Sequence, residues 1–114
     1  MKNYALFLRA TKEMSPEAFS DPKEIELRAQ WLKDLTAKNI ITYQGGTMPP
    51  IASMASSINA SEKISEGAFI ENNHFLTGFL IIEAENLKSA QNIATTNPII
   101  KAGGNVEIRE ILLR

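Results

Sequence analysis

The chain has 114 residues, 44% of them hydrophobic, and 12 Lys and Arg against 13 Asp and Glu for a formal net charge of −1. That length fits one domain, and the apolar content suits one modest core rather than a disordered chain. The balanced charge argues against a dedicated nucleic-acid binder, and the lack of cysteine excludes disulfides, thiolate metal sites and a cysteine nucleophile.

The first apolar run, Tyr4-Ala5-Leu6-Phe7-Leu8, is broken at Arg9 and is too short for the apolar region of a signal peptide. It is apolar on both alternating faces, which predicts a central strand covered on two sides. No stretch approaches the ~20 apolar residues that cross a bilayer, so a cytoplasmic protein with no membrane contact is expected. Ser15-Pro16-Glu17 can start a single helical turn. The first long helix begins at Asp21, which suits an N-cap, followed by Pro22 at the first helical position and Glu24 in a capping-box pattern. Ile25, Ala29, Leu32 and Leu35 form its apolar stripe, widened by Trp31, and Asn39 is its left-handed stop.

Residues 40–43 read as a second strand ending at Gly45-Gly46, after which Pro49-Pro50 forbids regular structure. Ile58 and Ile64 flank Asn59-Ala60-Ser61-Glu62 as a weak hairpin. A turn-rich stretch runs from Glu66-Gly67-Ala68-Phe69 to Asn72-Asn73-His74. Phe79-Leu80-Ile81-Ile82 is another two-sided strand. Asn86 caps a second helix with Leu87, Ala90, Ile93 and Ala94 on one stripe, and Asn97-Pro98 ends it. Gly103-Gly104 turns into a last strand over residues 105–113.

This order predicts an α+β domain of ferredoxin-like plan: a split βαβ with an antiparallel sheet, two helices on one face and an extra hairpin. Two helices cover only one face, yet the first and third strands are apolar on both. A bare second face would expose a large apolar patch, so a homodimer with sheets packed face to face is expected.

Glu66-Gly67-Ala68-Phe69, then Leu76-Thr77-Gly78-Phe79, a strand, a helix and Ala102-Gly103-Gly104-Asn105-Val106-Glu107-Ile108-Arg109 resemble the YCII-related family in its Asp-Gly-Pro-Phe branch. The resemblance covers nearly the whole chain and rests on the order and spacing of short motifs. It implies a dimeric α/β barrel. Most members have no assigned activity, a few relatives are linked to dehalogenation or ring-chlorinated intermediates, and a His-Asp pair is proposed as catalytic in another branch. Here Glu66 and Ala68 replace the Asp and Pro of the signature. Ungapped alignment puts Arg28 near the His position and Asn97 at the Asp position, a pair that cannot act as a general base near neutral pH.

Glu66 is a carboxylate candidate for acid–base or ligand work, against a plain turn-capping role. His74 is the sole histidine. With Glu71 it has the Glu-x-x-His spacing of helical di-metal sites, but it stands in an Asn-rich turn, so no metal is expected. Arg9 and Arg109 stand at alternate strand positions; if theirs is the open sheet face, they could grip an anion there, the alternative being an ion pair with Glu107 or Glu110. Phe69 completes this candidate ligand set. Neither glycine pair matches a phosphate or dinucleotide fingerprint, and tight turns are expected at both. The third strand lacks the basic and aromatic residues of an RNA-binding motif, and neither Trp31 nor the methionines form a cofactor pattern. Three functions stay open: a homodimer binding a small anionic or aromatic metabolite without cofactor, a non-catalytic assembly domain, and a small lyase- or dehalogenase-like enzyme.

Overall fold

The computed structural model of the protein describes residues 1–13, 21–49 and 51–112. The turn expected at Ser15-Pro16-Glu17, the second proline of Pro49-Pro50 and the strand end at Leu113 lie outside them. Strand β1 (Lys2–Thr11) is followed by helix α1 (Pro22–Ala37) and strand β2 (Ile41–Thr47). A single 3₁₀ turn (Ala52–Met54) leads into the hairpin of β3 (Ser56–Ile58) and β4 (Ile64–Glu66). Short β5 (Ile70–Glu71), long β6 (His74–Ala84), α2 (Leu87–Ala94), α3 (Pro98–Lys101) and β7 (Asn105–Ile111) complete the chain.

Local chemistry sets these boundaries. The Asp21 carboxylate accepts from the Lys23 N–H at 2.9 Å, and Pro22 occupies the first turn of α1, where its missing N–H matters least. Asn39, at φ 57°, ends the helix in the left-handed region. Its N–H donates to the Thr36 carbonyl and that of Ile40 to the Leu35 carbonyl, so the last turn keeps its acceptors occupied. Asn72 and Asn73, at φ 49° and 64°, make the two-residue β5–β6 turn, which asparagine tolerates better than most residues.

The main sheet has the order β2-β6-β1-β7, with β5 also paired to β6, and every pairing is antiparallel. This is the ferredoxin-like split βαβ: each outer strand lies parallel to a central strand and is separated from it by the other central strand. The extra hairpin forms a separate two-stranded sheet with Ile58 opposite Ile64. The core lies on one face, where Tyr4, Leu6, Leu80 and Ile82 are almost fully buried against Trp31, Leu35, Ala90 and Ala94. Burying each of the large aliphatic side chains contributes about 1.5–3 kcal/mol.

Two expectations need correction. The Gly45-Gly46 pair does not end β2 in a tight turn. The strand runs through it, with Tyr43 opposite Ile81 and Gly46 opposite Phe79, so one extra residue is absorbed as a bulge at Gly45, whose φ is 66°. The chain after α2 also does more than stop. Asn97 accepts from the Ile99 N–H at 2.9 Å and caps the further short helix α3, with Pro98 in its first turn. Among the described residues no helix is long and apolar enough to cross a membrane.

Candidate functional site

The apolar stripe of α1 is not buried along its whole length. Trp31 and Leu35, in its later turns, are buried, whereas Ile25 near its start is 46% exposed. The early turns border an open cavity of about 600 Å³ between α1, the bulged parts of β2 and β6, and the α2–α3 junction. Two bulges shape its floor. One is at Gly45, where a Cβ would collide with the Phe79 carbonyl, so only glycine permits this approach of β2 to β6. The other is at Thr77, the residue skipped between the Leu8–Gly78 and Arg9–Leu76 pairs. The Thr77 hydroxyl donates to the Met48 carbonyl at 3.1 Å, and the Met48 N–H donates back to the Thr77 carbonyl at 2.7 Å. The chain leaving β2 is thereby tied to the bulged segment.

The cavity wall is graded. Trp31, Leu80, Thr77 and Asn97 are buried, Glu24 and Arg28 are half-buried, and Asp21, Ile25 and Ala29 are exposed at the mouth. Leu8, Leu32 and Ile99 add apolar surface. Trp31 is held in place because its indole Nε1 donates to the Thr96 hydroxyl at 2.8 Å, and that hydroxyl donates to the Ile93 carbonyl at 2.6 Å. Arg28 is the sole cationic side chain on the described wall; Asp21 and Glu24 are its acidic neighbours on the same helix. Such a wall can take up a molecule with its apolar end inward and a polar end toward Arg28.

The site residues expected from sequence fall into separate groups, and none of them lines this cavity. Arg9 and Arg109 meet on the open sheet face around one carboxylate. Arg9 Nη1 donates to Glu107 Oε1 at 2.8 Å, and Arg109 Nη1 donates to Glu107 Oε2 at 3.3 Å. These contacts, that of Arg9 first, hold the Glu107 carboxyl below its ordinary range. Glu66 stands in β4 opposite Ser56, exposed Phe69 follows it, and neither is on the arginine cluster's strands β1 and β7. His74 opens β6, facing Glu71 across the two-asparagine turn, and its Nδ1 is 2.7 Å from the Asn72 carbonyl oxygen. The Glu-x-x-His spacing is therefore that of a hairpin, not of a helix. Among the described residues no three of His, Asp and Glu gather as metal ligands.

Arg28 and Asn97, the positions aligned with the His-Asp pair of related proteins, do come to one cavity. Trp31, Thr77 and the Gly45-Gly46 bulge were not singled out as site residues. A glycine pair inside a strand pattern was the available signal, since it marks a bulge or a close backbone approach. The model of the YCII-related domain matches residues 11–113. No curated protein matches the chain.

Proposed function

The chain belongs to the YCII-related family, and from that premise we propose that it binds a small molecule and works as a homodimer through its open sheet faces. The ligand is a compact metabolite with an apolar or aromatic body and a carboxylate head, held in the cavity beside α1. The observation carrying this reading is that buried Trp31 and Leu80 and half-buried Arg28 line the same cavity. The cavity volume of about 600 Å³ lies within the usual range for small-molecule sites. The reading is of binding: the pair Arg28 and Asn97 supplies no proton acceptor near neutral pH, and the carboxylates on the described wall are those of Asp21 and Glu24. The homodimer is supported by Phe7, Phe79 and Ile81, which are partly buried on the sheet face that no helix of the described residues covers, and by Tyr43, which is 55% exposed beside Phe79.

The test is a thermal-shift titration with aromatic and branched aliphatic carboxylates and their neutral amides. Arg28→Gln should weaken carboxylate binding about 10–100-fold, the range for losing a hydrogen bond to a charged group. It should leave amide binding nearly unchanged, and Arg109→Gln should change neither. Equal loss for acids and amides, or loss in Arg109→Gln instead, would contradict the assignment.

A further inference from the structure

Two polar side chains are buried among the described residues, Thr77 and Asn97, each 5% exposed, and both residues line the cavity beside α1. Buried polar atoms are ordinarily paired, so the partner of each can be traced. The Thr77 hydroxyl gives its one hydrogen to the Met48 carbonyl. The Asn97 carboxamide oxygen accepts from the Ile99 N–H at 2.9 Å, which also settles which end of the amide is oxygen. The Asn97 backbone is used as well. Its N–H donates to the Ala94 carbonyl at 3.0 Å, and its carbonyl accepts from the Ile100 N–H at 3.2 Å. The side-chain nitrogen Nδ2 differs, because no acceptor of the protein meets it. It is not sealed off either, since among the described residues no side-chain nitrogen or oxygen is both fully buried and unpaired. Nδ2 therefore reaches open space, and the open space that Asn97 borders is the cavity.

Capping does not account for this atom. Asp, Ser or Thr at the start of α3 would accept from the Ile99 N–H as Asn97 does, and none would present an amide N–H beside the cavity. We propose that Asn97 Nδ2 is a specificity-determining donor, and that the ligand is an oxo acid whose carboxylate goes to Arg28 and whose neutral carbonyl oxygen accepts from Asn97. The inference rests on the binding function proposed above and deepens it by naming the ligand class. The second group is neutral for a physical reason. A second carboxylate beside Asn97 would lose its hydration for one amide donor, with Arg28, the sole cation on the described wall, already matched to the head. A carbonyl oxygen needs only a donor and brings no hydrogen that needs an acceptor in turn. A purely hydrocarbon body would instead cover Nδ2 and leave it unpaired.

The experiment measures dissociation constants by calorimetry for two pairs of acids, each pair differing by one carbonyl oxygen: benzoylformate with phenylacetate, and benzoylpropionate with phenylbutyrate. The pairs place the carbonyl at two distances from the carboxylate. In at least one of them the wild type should bind the keto acid about fivefold or more tightly than its methylene counterpart. Asn97→Ser and Asn97→Asp keep an oxygen that caps α3 and remove the amide donor. The preference should fall to within about twofold of parity in Asn97→Ser. It should reverse in Asn97→Asp, where a carboxylate oxygen faces the ligand carbonyl, while repulsion of the ligand head affects both members and cancels in the ratio. A role in capping alone would change both members of a pair alike. Equal affinity within both pairs in the wild type, or a preference that survives both variants, would overturn the inference. If the acids then still bind and lose affinity in Arg28→Gln, the binding function stands without it. If none of the four acids binds, both fall.

Discussion

The two faces of the sheet are built from the same strands and from side chains of similar size, yet they end in different states. Tyr4, Leu6, Leu80 and Ile82 point under the helices and are almost fully buried, while Phe7, Phe79 and Ile81, one residue along the same strands, stay partly open. The covered face is itself uneven. It is closed under Trp31 and Leu35, and it opens into a cavity where β2 and β6 bulge away from regular pairing. Cover in this fold is thus decided by where helices can reach, and not by how apolar a strand is. A gap under a helix suits a small ligand, whereas a bare sheet suits another sheet.

The largest effect should separate the two faces directly. Ile82→Ala removes a fully buried side chain and should lose about 2–5 kcal/mol of unfolding free energy, independent of protein concentration. Its neighbour Ile81→Ala should lose about 1 kcal/mol in dilute protein. That loss should grow with concentration, because dimerisation adds stability by mass action. Urea melts at two protein concentrations read both numbers. Equal, concentration-independent losses would erase the distinction between the faces.

The next contrast lies within the cavity floor. Gly45→Ala places a Cβ against the Phe79 carbonyl at positive φ and should lose at least ~2 kcal/mol. Gly46→Ala meets nothing within 4 Å and should stay within about 0.5 kcal/mol of wild type. If the two variants melt alike, the bulge is not fixed by Gly45.

The smallest effect belongs to the arginine cluster of the open face. Arg9 and Arg109 depress the Glu107 carboxyl in the folded state, so its contribution is present above the ordinary carboxylate range. It is lost as pH falls through the lowered folded value. The stability difference between wild type and Glu107→Gln should therefore shrink between roughly pH 5 and pH 2. The groups are largely solvated, so the amplitude should be slight and should fade with salt. A difference that widens on acidification would reverse the assigned sign.

Much of the fold was legible because its signals are local. Asp21-Pro22 starts α1, Asn39 stops it, and the apolar runs around Leu6 and Leu80 mark the central strands. The Gly45 bulge was read as a turn because glycine alone does not distinguish a chain reversal from a kink within a strand. Asn97-Pro98 was read as a stop, although the same pair, an N-cap with proline behind it, is also a start. The cavity was not legible. Its wall depends on how far the early turns of α1 stand from the sheet, a tertiary quantity that the stripe Ile25, Ala29, Leu32 does not encode. Arg28 and Asn97 were noticed only as departures from a dyad, while Arg9 and Arg109 drew attention through strand alternation that brought them to Glu107 instead.

The central claim is that the cavity beside α1 is the ligand site, and Trp31 offers the most direct test because it is the only tryptophan and stands on the wall. Its fluorescence should be followed while an aromatic carboxylate that raises the melting temperature is titrated in. The account predicts a saturable change in emission with the same dissociation constant as calorimetry, weakened in Arg28→Gln. Calorimetric binding that leaves Trp31 emission unmoved, and that is lost in Arg9→Gln instead, would contradict it and place the ligand on the open sheet face.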